Sequence, residues 1–203
     1  MTNTTCTCIA CLYKVVNLKE LEGVNYSYMH IIYLAGNSLN NKTWIEKVKS
    51  KFNLFSTGDI LYYDHWKTGD KWINLEAESI KLTNLVNNKK DYNVFAKSIG
   101  SVLALKNIFE QKFSPLKAIF CGLPYRMTQE SDIPINQYLK ALSVPVIFIQ
   151  NEFDPVYSFA ELEKVLQAAN SSNYQFIKIP NNNTHDYENF EQLTNLAEDF
   201  FVI

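Results

Sequence analysis

From residue 26 onward the chain alternates two kinds of hydrophobic spacing. Residues 28–34 (YMHIIYL) form a nearly continuous apolar run that stops at Ala35-Gly36-Asn37, the pattern of a strand buried on both faces. Residues 42–54 then place Trp44, Ile45, Val48 and Phe52 at helical intervals. Residues 59–64 (DILYYD) predict a second strand. After the turn Thr68-Gly69-Asp70, residues 73–86 carry another helical stripe through Ile73, Ala77, Ile80 and Leu85. Residues 92–96 predict a strand and 99–113 a helix that must stop before Pro115. Strands are expected at 116–121, 144–149 and 174–179, and helices at 159–169 and 187–201.

Strands that alternate with helices predict an α/β fold, a three-layer α/β/α sandwich around a mostly parallel, doubly wound sheet. With 203 residues and neither an internal repeat nor a low-complexity linker, one domain accounts for the whole sequence. Hydrophobic residues make up 47% and charged residues 20%, enough for a buried core and against disorder. The formal net charge of −2 argues against nucleic acid as a partner, because such proteins usually display a basic face. The start of the sequence lacks the basic region and long apolar run of a secretory signal. No apolar stretch approaches the roughly 20 residues that span a bilayer, so the expectation is a soluble, cytoplasmic protein without membrane insertion. Cys6, Cys8 and Cys11 form a C-x-C-x-x-C cluster without the second ligand pair of a zinc site; they read better as small core residues of an early strand, and no metal is expected.

In parallel sheets ligands gather at the carboxyl ends of the strands, so the loops there are where chemistry is expected. After the strand at 92–96 comes Ala96-Lys97-Ser98-Ile99-Gly100, a serine between an apolar strand and an apolar helix, with small residues two before and two after it. Such spacing suits a turn tight enough to lift Ser98 above the sheet; the same serine could instead simply cap the helix. A nucleophilic serine needs a base, and there are three histidines. His30 lies inside a strand, His65 follows Asp64, and His185 sits in a polar loop after the last strand, which makes His185 the best placed. The loop after 144–149 offers Asp154 first and Glu152 second as the carboxylate that orients the imidazole, although Asp154 before Pro155 also suits a plain turn.

The order Ser98, Asp154, His185, each after a different strand, resembles that of the α/β-hydrolases. The likeness rests on Ala96 to Gly100, on Asn151-Glu152-Phe153-Asp154-Pro155-Val156 and on Thr184-His185-Asp186, and runs over residues 28–203. It implies an elbow at Ser98, with the backbone N–H of Ile99 as one oxyanion donor and that of Asn37 or a neighbour as the other. Two features depart from the family pattern: Ala96 replaces the usual first glycine, and the loop at Leu34 to Ser38 lacks the common His-Gly pair. The activity implied is hydrolysis of an ester or thioester of a small molecule through an acyl-enzyme, without a cofactor. The alternative is a catalytically silent binding protein on the same fold.

Substrate contacts are less determined. Lys97 and Arg126, the sole arginine, could meet an anionic substrate, whereas Arg126 could as well pair with Glu130 or Asp132 on the surface. Tyr62, Trp66, Phe153 and Tyr157 are candidate pocket aromatics. Only residues 123–143 are free to form a lid, so an open, shallow site is expected.

Overall fold

A computed structural model of the chain describes residues 29–169 and 173–202; the Cys6, Cys8 and Cys11 cluster and Tyr28 lie outside these. The elements in chain order are β1 (Met29–Leu34), α1 (Asn40–Phe52), β2 (Ser56–Ile60), α2 (His65–Thr68), α3 (Leu75–Val86), β3 (Asn93–Lys97) and α4 (Ile99–Phe109). They continue with β4 (Ala118–Cys121), α5 (Tyr125–Glu130), α6 (Ile135–Lys140), β5 (Val146–Asn151), α7 (Phe159–Ala169), β6 (Tyr174–Ile179) and α8 (Phe190–Val202). The six strands form one sheet in the order β2-β1-β3-β4-β5-β6, with every neighbouring pair parallel.

Burial follows from position in that order. The inner strands β3, β4 and β5 are buried at every residue, which is why they read as unbroken apolar runs. At one edge, β6 shows a mixed burial pattern, and at the other β2 is polar (STGDI). One layer of helices pairs α1 with α8; the other packs α3, α4, α6 and α7 in succession. Right-handed crossovers put these two groups on opposite faces of the sheet, completing the three layers.

The edge strand β2 begins three residues before the expected 59–64 and ends at Ile60. A Cβ on Gly58 would lie 2.1 Å from the Ile31 carbonyl oxygen, so this residue lets β2 pair closely with β1. Leu61 still donates its N–H to the Tyr33 carbonyl, but Leu61 and Tyr63 then leave the sheet to fill the core. Their hydrophobicity was the signal for a strand, and it reports burial in a loop instead. The helix expected to 113 ends at Phe109, followed by Gln111 at φ 57°, and residues 123–143 form the short helices α5 and α6.

The chain winds from β1 outward to β2, then back to β3 on the other side of β1. That reversal opens a crevice at the carboxyl ends of β1 and β3, where the two connections leave in opposite directions. The loop after Leu34 and the serine after Lys97 both lie there.

Candidate active site

Ser98 follows β3 and immediately precedes α4, with φ 52° and ψ −123°. A non-glycine residue in that region is strained and persists only where its surroundings hold it. Its N–H donates to the Cys121 carbonyl at 2.8 Å, and its carbonyl accepts from the Ser101 N–H at 2.9 Å, so both sides of the turn are fixed. Its side chain makes no cap to α4, which removes the helix-cap reading. Close packing explains the glycine two residues on: a Cβ on Gly100 would sit 2.6 Å from the Ala35 carbonyl oxygen and 2.8 Å from the Leu34 carbonyl.

The hydroxyl thus freed meets the histidine loop. His185 Nε2 lies 3.0 Å from Ser98 Oγ, while Nδ1 lies 2.8 Å from Asp154 Oδ2 and 3.0 Å from Oδ1. Asp154 is buried, whereas the His185 side chain is 24% exposed. The carboxylate accepts further bonds from the Val156 N–H at 2.9 Å and the Tyr187 hydroxyl at 2.9 Å. Both of its oxygens are therefore committed, which fixes the carboxylate plane and with it the imidazole. Glu152, the other acidic candidate, faces away and binds Lys178 and the Asn181 N–H.

Three supporting residues lacked a chemical signature in the sequence. Tyr187 donates to Asp154 and accepts the Asn151 N–H; burial, with the nearby Asp154 charge, pushes its phenol well above the usual range and keeps it a donor. Asn151 Nδ2 donates to the Thr184 and Asp186 carbonyls, which bracket His185. Gly122, at φ 62°, lies so close that a Cβ there would be 2.9 Å from His185 Cε1. The available hints were proximity, since Tyr187 is two residues from His185 and Asn151 three from Asp154, and for Gly122 its place directly after a strand in a chain with only 6 glycines.

The loop after β1 is held from behind. Tyr63 donates to the Ala35 carbonyl, and His65 Nε2 and Trp66 Nε1 both reach the Asn37 carbonyl, at 2.6 and 2.8 Å. The Asn37 side chain accepts the Ile73 N–H and donates to the Lys71 carbonyl. Its own N–H, and that of Ile99, bond no other group among the described residues. His65 is thus a brace of this loop rather than a partner of Ser98, and His30 pairs across the sheet edge with Asp59 at 3.0 Å.

Lys97, Arg126 and Tyr157, candidates for substrate contact, each have partners within the protein. Lys97 is buried, with Nζ 3.0 Å from Asn41 Oδ1, 4.8 Å from the centre of the Trp44 ring and 3.9 Å from Asp186. Burial pulls its ammonium below the ordinary lysine value, and the Asp186 charge opposes that only in part. Arg126 pairs with Glu161 at 3.1 Å rather than with Glu130 or Asp132, and it lies over the Tyr157 ring. The Tyr157 ring in turn packs on Tyr125 and lines a separate hollow of about 400 Å³ on the α7 side, whose lining includes neither Ser98 nor His185. Of the other candidate pocket aromatics, Trp66 braces Asn37, Tyr62 bonds Glu46, and Phe153 is exposed. A cleft of about 580 Å³ does reach the elbow at Ile99, between residues 72–76 and residues 127–133.

Among the described residues, no three His, Cys, Asp or Glu side chains gather as a metal site, and no helix is long and apolar enough to cross a membrane. The free Cys121 is buried, its thiol raised by desolvation.

No family model matches the sequence, and no curated protein is detectably similar to it. Solved structures are. An uncharacterized protein from Bacillus cereus superposes with a TM-score of 0.68 at 18% identity, over 85% of this chain and 59% of that one. This chain therefore spans well under two thirds of that protein. MGS-M2, an α/β-hydrolase enzyme from a deep-sea metagenome library, gives 0.62 at 15% identity over 87% and 90% of the two chains. A carboxylesterase from Bacillus subtilis gives 0.65 at 12% identity over 86% and 84%. Parallel strand order, flanking helices and these superpositions together establish that the chain has the α/β-hydrolase fold.

Proposed function

We propose that the chain is a serine hydrolase that cleaves a carboxylic ester or thioester of a small molecule through an acyl-enzyme. The observation that carries this reading is the continuous chain of contacts from Ser98 through His185 to Asp154, built on a strained turn.

With Nδ1–H donated to Asp154, Nε2 presents its lone pair to the Ser98 hydroxyl. Ser98 Oγ attacks the substrate carbonyl carbon as its proton passes to Nε2, and the carbonyl π electrons move onto oxygen. The Ile99 and Asn37 N–H groups are the donors for that oxyanion, each worth about 3 kcal/mol by analogy with measured oxyanion holes. The intermediate collapses, the bond to the leaving group breaks, and that group takes the proton from Nε2. Water then repeats the sequence on the acyl-enzyme: its proton goes to Nε2, its oxygen bonds the acyl carbon, and Ser98 leaves with the proton returned. Each step is an acid–base or acyl-transfer step that these side chains supply, so the scheme requires no cofactor.

The test is labelling with a fluorophosphonate. Stoichiometric adduct on Ser98, lost in Ser98→Ala and strongly slowed in His185→Ala, is the expected result. Folded protein that gives no adduct would leave a binding role on the same fold as the better account.

A further inference from the structure

The cleft beside Ile99 has a composition that selects among esters, and the inference rests on the hydrolase reading above. The apolar part of its lining is Trp72, Ile73 and Leu75 from residues 72–76, Met127 and Ile133 from residues 127–133, and the buried Ile99. Ile99 lines this cleft and supplies its N–H to the proposed oxyanion site. A substrate with its carbonyl oxygen on that amide therefore has one substituent at the mouth of the cleft.

Which substituent follows from proton transfer. The leaving group must lie against His185 Nε2 to be protonated. No residue of the histidine loop lines the cleft. The substituent that enters is therefore the one away from His185, the acyl chain.

Charge narrows the class further. The ionisable groups of the lining are Glu76 and Glu130. Glu76 is paired with Lys106, 3.1 Å away. Glu130 makes no ion pair among the described residues and is exposed at the end of α5. Lys71 lies outside the lining, with its ammonium over the Trp72 ring at 5.5 Å. Arg126, which could have met an acyl carboxylate, is turned to Glu161.

We infer that this cleft is the acyl site, that it takes an extended apolar acyl group without a carboxylate, and that Glu130 sets its preference between charged acyl ends. A volume of about 580 Å³ is within the range of small-molecule sites and well beyond what an acetyl group fills.

The experiment uses p-nitrophenyl esters, so that the leaving group is constant, alongside fluorophosphonate labelling of the same preparation. The acyl groups are acetate, heptanoate, the monoester of adipate, and 6-aminohexanoate; the last three are of nearly equal length and end in methyl, carboxylate and ammonium. Expected in kcat/KM is heptanoate at least tenfold above acetate, and the ammonium ester at least threefold above the carboxylate ester. Glu130→Lys should reverse the order of the two charged esters, and Glu130→Gln should bring them together. A flat series in a protein that labels at Ser98 overturns the acyl site and leaves the hydrolase reading standing. A preference for the carboxylate ester, pointing to Lys71, overturns the role given to Glu130. Absence of both labelling and turnover removes the hydrolase reading and the acyl site with it.

Discussion

The substitution Gly100→Ala tests whether the elbow is set by contact with the end of β1. The added methyl would lie 2.6 Å from the Ala35 oxygen, where an ordinary separation is about 3.5 Å, so one side must retreat by roughly 0.9 Å. Strand β1 is poorly placed to yield: Leu34 is in register with Ala96 on β3, and the Ala35 carbonyl is held by Tyr63 at 2.9 Å. The helix start moves instead, carrying the Ile99 N–H and the Ser98 hydroxyl away from the loop that bears Asn37. Misplacing reacting groups by about 1 Å costs on the order of 100-fold in rate, or about 2.7 kcal/mol of transition-state stabilisation. Overpacking of this kind costs about 1–3 kcal/mol of stability, roughly 2–12 °C in Tm for a chain of this size. The assay is kcat/KM on an aryl ester together with a thermal melt. Gly69→Ala is the control: Gly69 has φ 81° but open space around its Cα, so it should lose stability from backbone strain alone and keep its rate. A Gly100→Ala protein within twofold of the native kcat/KM would refute the idea that this contact positions the site.

Two further substitutions address the groups behind Ser98. Asp154→Asn should lower kcat by about 10⁴ with little change in KM, because an amide must turn its NH₂ toward either the Val156 N–H or the Tyr187 hydroxyl and disturbs the imidazole tautomer; steady-state kinetics decides, and a loss under tenfold would remove its orienting role. Lys97→Met removes an ammonium that burial makes costly, so at neutral pH the variant should be at least as stable as the native protein while its rate falls through loss of the Asn41 and Asp186 contacts. Between the lowered folded pKa and the ordinary 10.5 the unfolded chain binds more protons at Lys97 than the folded one, so native stability rises with pH through that window relative to the variant; denaturant melts at pH 7 and pH 10 measure the difference, and a variant much less stable at pH 7 contradicts the argument.

Much of this arrangement is legible in the sequence because the signals are local. The inner strands are apolar at every position, since both of their faces are buried, and Ser98, Asp154 and His185 stand in the loops that follow three of the strands. The geometry also separates Asp154 from Glu152, a choice that spacing left open. What spacing could not decide depended on direction. Lys97 is next to Ser98 in sequence, but successive strand residues point to opposite faces, and its side chain enters the α1 and α8 layer. Tyr62, Trp66 and Phe153 are aromatic near strand ends, a property shared by pocket and packing residues alike. The cleft inferred to take the acyl group is walled by Trp72, Ile73, Met127 and Ile133 from two connections distant in sequence, and no spacing rule joins them.

Residues 123–143 were expected to be the stretch free to cover the site, and their placement changes what openness means. The segment folds as α5 and α6, with α6 against α4, so it stands beside the elbow as a wall. Met127, Glu130 and Ile133 line the cleft from it, while His185, outside that lining, keeps 24% of its side chain exposed. The proposed reacting groups and the proposed selecting groups are consequently carried by different parts of the chain. Ser98, Asp154 and His185 follow β3, β5 and β6 and are tied together by Tyr187 and Asn151, whereas the cleft is built from residues 72–76 and 127–133, with Ile99 common to both. Changes in residues 127–133 should therefore alter acyl preference mainly through KM and leave the rate of reaction of Ser98 with a small phosphonate close to native, but any change that shifts Ile99 must affect both at once. That shared residue is also why the contact at Gly100, one position further along α4, bears on chemistry and selectivity together.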